Sequence, residues 1–395
     1  MRKDWRYCKI GDICTVARGG SPRPIEDYLT SDPDGINWIK IGDAQEGSKY
    51  ITSTAQRIRP DGAKKSRFVR KGDFILSNSM SFGRPYILGI DGCIHDGWLV
   101  LQDNDSVFNK SFLYYYLSSP SVYAEFKRLA VGGVVNNLNS NLVKSVLVPV
   151  PSLREQEEIV ADLDRAATIL NLHKEQLQEV DKLPLAFFYK SFGNPVSNPN
   201  GWESIPLSGV STLITDGSHY SPKDEEMGTI PMLSVKNMGA RGFDYTDCKM
   251  ISQEEYKKLE ASGCKPMPDD VLVAKDGSYF KKIFVHQSEA PQAILSSIAI
   301  VRPDQTKVTP EFLCSLLSTP DIYNLVEERY LTGTAIKRVI LKGLRQLKII
   351  VPPMDMQKQF SMKIWRINAQ RRLIEESVVE AQKLFDSRMN YYFGD

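Results

Sequence analysis

Apolar positions in this chain follow two periods. Over 151–192 and 352–395 a seam steps by alternating four and three residues. It runs through Ile159, Leu163, Ala166, Leu170, His173, Leu177, Val180, Pro184 and Phe187. The later segment repeats it through Phe360, Ile364, Ile367, Arg371, Ile374, Val378, Ala381, Phe385 and Arg388. A 3.5-residue period held over several heptads predicts a long helix packed against another. Ser152 and Glu155 have capping-box spacing just after Pro151, and Glu157, Asp164, Lys174, Glu179 and Lys182 fill the other faces. A helix of about 38 residues spans roughly 57 Å, longer than one domain core requires. The two segments are therefore expected to pack as an antiparallel coiled coil that holds a globular unit at each end and acts as a ruler. Pro184 is expected to kink the first helix or end it early.

The rest of the chain has short apolar runs (DFILS, YILGI, WLVLQ, DVLVA, AILSSIAIV) punctuated by Gly, Pro, Asn and Asp, which predict twisted β-rich units over 1–150 and 193–351. Short helices close each unit. Asn109 can cap FLYYYL, Ser119-Pro120 starts the next helix, and Thr309-Pro310 and Thr319-Pro320 repeat the signals. Ser252 and Glu255 form a capping box for EEYKKLEA. The fold class is α+β.

These two stretches are one pattern written twice. Trp5 answers Trp202, INWIKIGD answers IPMLSVKN, KGDFILSNS answers PDDVLVAKD, SFLYYYLSSPSVY answers EFLCSLLSTPDIY, PSLREQ answers PPMDMQ, and Phe192-Gly193 answers Phe393-Gly394. The offsets run 197, 194, 197, 200, 201 and 201, too long for a solenoid. This is a duplicated domain, with SFGNPVSNPNGW as the boundary linker. A pseudo-twofold pair of similar heads suits a ligand with two related half-sites, such as duplex DNA.

Composition narrows the chemistry. No apolar run approaches the length of a membrane span, and the basic N-terminus lacks the apolar stretch of a secretory signal. The six cysteines have no CxxC or zinc-like spacing, so reduced thiols in a cytoplasm are expected. A net charge of +2 neither proposes nor excludes nucleic acid. P-loop, HExxH, GxSxG and dinucleotide motifs are absent, as is an NPPY-like tetrapeptide. No metal site, directly bound cofactor or catalytic residue is expected.

What remains are polar, Gly-rich loops at matching places in both halves. The side chains suited to phosphates and base edges are Arg18, Arg23, Ser77, Asn78, Arg84, Asn136, Asn137 and Asn139 in the first half. In the second they are Ser218, His219, Tyr220, Lys223, Lys275, Ser278, Tyr279, Lys281, Lys282, Lys337 and Arg338. The loops differ between copies while the scaffold positions stay similar, as expected of heads that read different sequences.

The order and duplication of Lys71-Gly72-Asp73 with Pro268-Asp269-Asp270, of TDGSHYSPK with IPMLSVKN, of the Pro and Gln positions opening each long helix, and of the FGNPVSNPNGW linker resemble the specificity subunit of type I restriction-modification systems. The first half departs from the pattern, because its loop GGSPRPIEDY lacks the TDG-x-H form. The resemblance implies two target-recognition domains, 1–150 and 193–351, and two helical spacers, 151–192 and 352–395. It implies a non-catalytic reader of a bipartite, asymmetric double-stranded DNA target. Two methylation subunits using S-adenosylmethionine, and two restriction subunits using ATP and Mg, are implied as partners. Two other readings stay open: an autonomous nuclease using Glu255-Tyr256-Lys257, and a coiled-coil scaffold that never binds DNA.

Overall fold

A computed structural model describes residues 5–45, 47–78, 83–103, 107–131, 138–277, 279–332 and 338–394. The chain forms two compact units, Met1–Lys174 with Glu376–Asp395, and Glu175–Glu375. Its main helices are α1 (Lys110–Leu117), α2 (Pro120–Val131), α3 (Leu153–Phe192), α4 (Gln253–Ala261), α5 (Pro310–Leu317), α6 (Pro320–Arg329) and α7 (Met354–Phe393).

The first unit holds two five-stranded sheets. One is ordered Cys14–Arg18, Trp98–Asp103, Phe74–Ser77, Pro85–Leu88, Tyr50–Ile51; the other Leu29–Thr30, Gln56–Ile58, Ile36–Ile39, Gly92–Ile94, Arg67–Val69. The second unit repeats the plan with fewer strands. Ser211–Asp216, Ile298–Pro303, Val271–Ala274 and Ile283–Val285 form one sheet, and Lys249–Ile251, Ile230–Leu233 and Ala293–Ile294 the other. A parallel pair recurs in both, Gly92–Ile94 on Ile36–Ile39 and Ala293–Ile294 on Ile230–Leu233. So does an antiparallel clasp, Tyr7–Lys9 with Leu147–Pro149 and Glu203–Pro206 with Lys348–Val351. The central strands Phe74–Ser77 and Val271–Ala274 are buried at every position, hence their unbroken apolar runs.

Two motifs now have physical causes. The Gly-Asp pair starts a central strand: Asp73 accepts the Arg70 N–H at 2.9 Å, and Asp270 accepts the Met267 N–H at 2.7 Å. The preceding residue is left-handed in both copies, Gly72 at φ 87° and Asp269 at φ 70°, and Gly or Asp carries that conformation at least cost. The helix-opening glutamine is a buried staple. Gln156 donates to the Pro151 and Val107 carbonyls (both 3.0 Å) and accepts the Asn109 N–H (2.8 Å). Gln357 repeats this with Pro352 (2.8 Å), Lys307 (3.0 Å) and the Thr309 N–H (3.0 Å).

Each long helix has 40 residues and contributes to both units. In the second unit, Asp181 of α3 meets Arg371 of α7 at 2.6 Å while Phe192 meets Phe360, so the helices run antiparallel there. In the first, Asp162 accepts from Tyr392 at 3.1 Å and lies 3.6 Å from Arg388. Ile159, Leu163, Leu170, Phe360, Ile364, Ile367 and Ile374 are buried, and Leu177, Val378 and Phe385 are half-buried.

Two details differ from the sequence expectation. Pro184 does not end α3, which continues to Phe192. Proline removes one ladder hydrogen bond, but the fully buried Phe188 and Phe192 hold the last turns on Phe312. The buried stripe also slips by one residue near each helix end, to Phe188 instead of Phe187 and Met389 instead of Arg388. A 3.6-residue helix drifts from a 3.5-residue seam, and these turns pack on a globular core.

Candidate nucleic-acid interface

In each unit the polar loops converge on one backbone framework. In the first, Gly19 N–H bonds Trp98 O, Gly20 N–H bonds Ile94 O, Asn78 N–H bonds Gly97 O, and Leu138 N–H bonds Asn78 O. In the second, Gly217 bonds Ile298, Ser218 bonds Ile294, Lys275 bonds Ser297, and Val339 bonds Lys275 in the same sense. The loops Ala17–Pro24 and Thr215–Asp224 are therefore equivalent in space, although only the second has the TDG-x-H form. Glycine is required at the crossing. A β-carbon on Gly19 would lie 2.2 Å from His95 O, and one on Gly217 would lie 2.2 Å from Ile294 O.

The framework makes Arg18 equivalent to Asp216, Asn78 to Lys275, and Asp96 to Ser296. Charge has therefore changed places. In the first unit Asp96 is the centre. It accepts the Ser21 hydroxyl at 3.0 Å and lies 3.0 Å from His95 Nε2 and 3.4 Å from Arg23 Nη2. Its backbone carbonyl accepts Arg18 Nε at 2.8 Å and Asn78 Nδ2 at 3.1 Å, while Arg67 donates to Arg18 O at 2.7 Å. Burial raises the Asp96 carboxyl, but the Ser21 bond and the charges of His95, Arg18 and Arg23 outweigh it and hold it below its ordinary range. Arg23 remains 82% exposed. In the second unit the centre is a buried ion pair, Lys275 Nζ to Asp216 Oδ2 at 3.0 Å, with exposed His219 3.5 Å from the same carboxylate.

Several candidates are taken off the exposed surface. Lys275 is buried on Asp216. Tyr279 is a core residue: it donates to Glu327 at 2.9 Å and stacks on Tyr323 at 5.8 Å. Phe280, left-handed at φ 53°, follows it in the turn. Ser77, Asn78 and Ser218 are also buried. The Ser77 hydroxyl accepts the Arg84 N–H, and the Ser218 hydroxyl closes a turn on Tyr220. Asn139 is exposed, but its side chain caps the helix Ser140–Ser145 by accepting Leu142 N–H at 3.0 Å. Asn136, Asn137, Ser278 and Lys337 lie outside the described residues. Arg18, Arg23, Arg84, His219, Tyr220, Lys223, Lys281 and Arg338 are exposed, and Lys282 is half-exposed.

His95, Asp96 and Arg67 join the site without having been singled out by the sequence. The HDG turn before WLVLQ was the available signal for the first two; Arg67 had none. The acidic-x-Lys element lies on α4, where Tyr256 is buried and Glu255 pairs with Lys258 at 2.8 Å. Among the described residues no three His, Cys, Asp or Glu side chains cluster as metal ligands, and no helix is long and apolar enough to cross a membrane.

Fold and loops together define a class: a duplicated α+β chain whose two units share a backbone framework and two long helices but carry different loop side chains. Residues 2–182 match the model of the type I restriction modification DNA specificity domain. The MjaIX specificity subunit of a type I restriction enzyme from Methanocaldococcus jannaschii is 24% identical over 91% of this chain and 85% of its own. The StySPI specificity subunit from Salmonella potsdam is 18% identical over 96% of this chain and 86% of its own. The crystal structure of a type I S subunit from M. genitalium shares the fold, with a TM-score of 0.58 at 15% identity, covering 100% of this chain and 98% of that one. Residues 2–182 therefore carry the signature of a type I restriction-modification DNA specificity domain, and the whole chain is similar to type I restriction enzyme specificity subunits.

Proposed function

We propose that this chain is the DNA-reading subunit of a type I restriction-modification assembly and performs no chemistry itself. Each unit reads one half of a bipartite, asymmetric duplex target, through the loops gathered around Asp96 in one and the Asp216–Lys275 pair in the other. The observation that carries this reading is the conserved backbone framework with exchanged side chains. One scaffold presents two different hydrogen-bonding surfaces, as two different half-sites require.

The long helices set the spacer between the half-sites and offer two methylation subunits equivalent docking places. Methyl transfer from S-adenosylmethionine to adenine, and ATP- and Mg-dependent translocation and cleavage by two restriction subunits, belong to those partners. The cell compartment is that of the DNA, the cytoplasm. Replacing residues 1–150 with the corresponding part of another specificity subunit tests the reading. Selection from a randomised duplex pool, with the chain bound to its methylation subunits, should return a motif altered in one half only. Alteration of both halves defeats the modular assignment, and absence of any salt-dependent duplex binding favours the scaffold reading.

A further inference from the structure

The first unit gathers arginines in an arrangement that the second lacks. Arg18 and Arg23 both bond Asp96, one on its carbonyl and one on its carboxylate. Each is held by a single nitrogen, Nε for Arg18 and Nη2 for Arg23, and among the described residues their other guanidinium nitrogens have no partner. Asp96 is itself fixed by Ser21, whose hydroxyl donates to the carboxylate and accepts the Asp96 N–H at 3.3 Å. Beneath them Asn78 is 3% exposed, with its Oδ1 unpaired among the described residues. In the second unit the equivalent of Arg18 is a carboxylate, and the local cation, Lys275, is buried against it.

An anchored guanidinium with a free edge matches the paired acceptors O6 and N7 of guanine in the major groove. We propose that Arg23, with Arg18 beside it, is a guanine-specifying residue for the half-site read by the first unit, and that Asp96 is the residue that positions both. This rests on the DNA-reading function proposed above. Among the described residues the second unit carries Asp216 at the position equivalent to Arg18, so this guanine contact belongs to the half-site read by the first unit.

The test uses the full chain in complex with its methylation subunits and a randomised duplex pool, comparing wild type with Arg23→Gln and Asp96→Asn. Wild type should select a bipartite motif with a guanine in one half. Arg23→Gln should lower the preference for that guanine by about 5- to 150-fold, the range for one lost bidentate base contact, and leave the other half intact. Asp96→Asn should relax the same position by a smaller factor, an effect a merely structural loss would not confine to one base. Two results overturn the proposal while leaving the DNA-reading function standing: an unchanged motif, or weakening that is uniform over all sequences, which marks a phosphate contact. If wild type selects no bipartite motif, the function itself fails and the proposal with it.

Discussion

Replacing Gln357 by leucine removes the buried staple of the second unit while nearly preserving volume. The side chain is fully buried and makes three hydrogen bonds, donating to Pro352 O at 2.8 Å and Lys307 O at 3.0 Å and accepting from Thr309 N at 3.0 Å. Leucine satisfies none of them. A buried polar group left unpaired costs about 1–3 kcal/mol, and carbonyls tolerate it better than an N–H. The sum expected is about 3–5 kcal/mol, with most of it at the Thr309 amide and the two carbonyls sharing the rest. The loss is local, because Thr309 is the N-cap of α5 and α7 starts just after Pro352 and Pro353. Amide hydrogen exchange resolved along the chain should show α5 and the first turns of α7 opening more readily, and the first unit unchanged. Gln156→Leu should produce the mirror result in α1 and the start of α3. Destabilisation below about 1 kcal/mol, or opening spread evenly over both units, would refute the staple.

Asp270 is fully buried and bonded by Arg302 at 2.7 and 2.9 Å, so Asp270→Ala should cost roughly 3–5 kcal/mol, measured by denaturant unfolding. Gly217→Ala drives a methyl into Ile294 O and should expose the Ser218 amide to exchange at a cost of about 3 kcal/mol, with Gly19→Ala doing the same at Gly20. Burial lowers the pKa of His286, outweighing the pull of Asp270. The unfolded chain therefore holds the extra proton between the folded and ordinary histidine values. Stability from this site is complete above about pH 6.5 and falls as pH drops through that window, by at most about 1.4 kcal/mol per unit. Melting of wild type and His286→Gln at pH 7.5 and 5.5 should show a shallower loss in the variant.

The fold was legible where a period carried it. The 3.5-residue seam and the recurring Pro and Gln positions marked the long helices, and runs such as DFILS and DVLVA marked strands buried on both faces. Side-chain direction in the loops was not legible, because it depends on a single turn residue or a single tertiary neighbour. Tyr279 and Lys281 stand two apart in one polar run, yet one is core and the other exposed. Lys275 reads as a surface cation until the fold brings Asp216 to it from 59 residues earlier in the chain. Asp96 was not singled out because its partners Arg18, Ser21, Arg23 and Asn78 come from two other segments of the chain.

The exchange of charge between the units has a consequence for how such a chain can change its target. Each centre contains one carboxylate facing its cations, which permits Lys275 to be buried in the second unit and Asp96 to sit half-buried in the first. The carboxylate comes from the turn in the first unit, at Asp96, and from the first loop in the second, at Asp216. Transplanting only Ala17–Pro24 into the second unit would set Arg18 beside Lys275 with Ser296 in place of the acid. The reverse graft would set Asp216 beside Asp96 with Asn78 between them. Both bring like charges together, so first loop, hairpin and turn must change together, whereas the glycine crossing and the backbone bonds stay fixed. Moving all three segments should retain the parent melting temperature, and moving the first loop alone should lower it. Equal stability of the single-loop and three-segment grafts would show that the charges are not coupled.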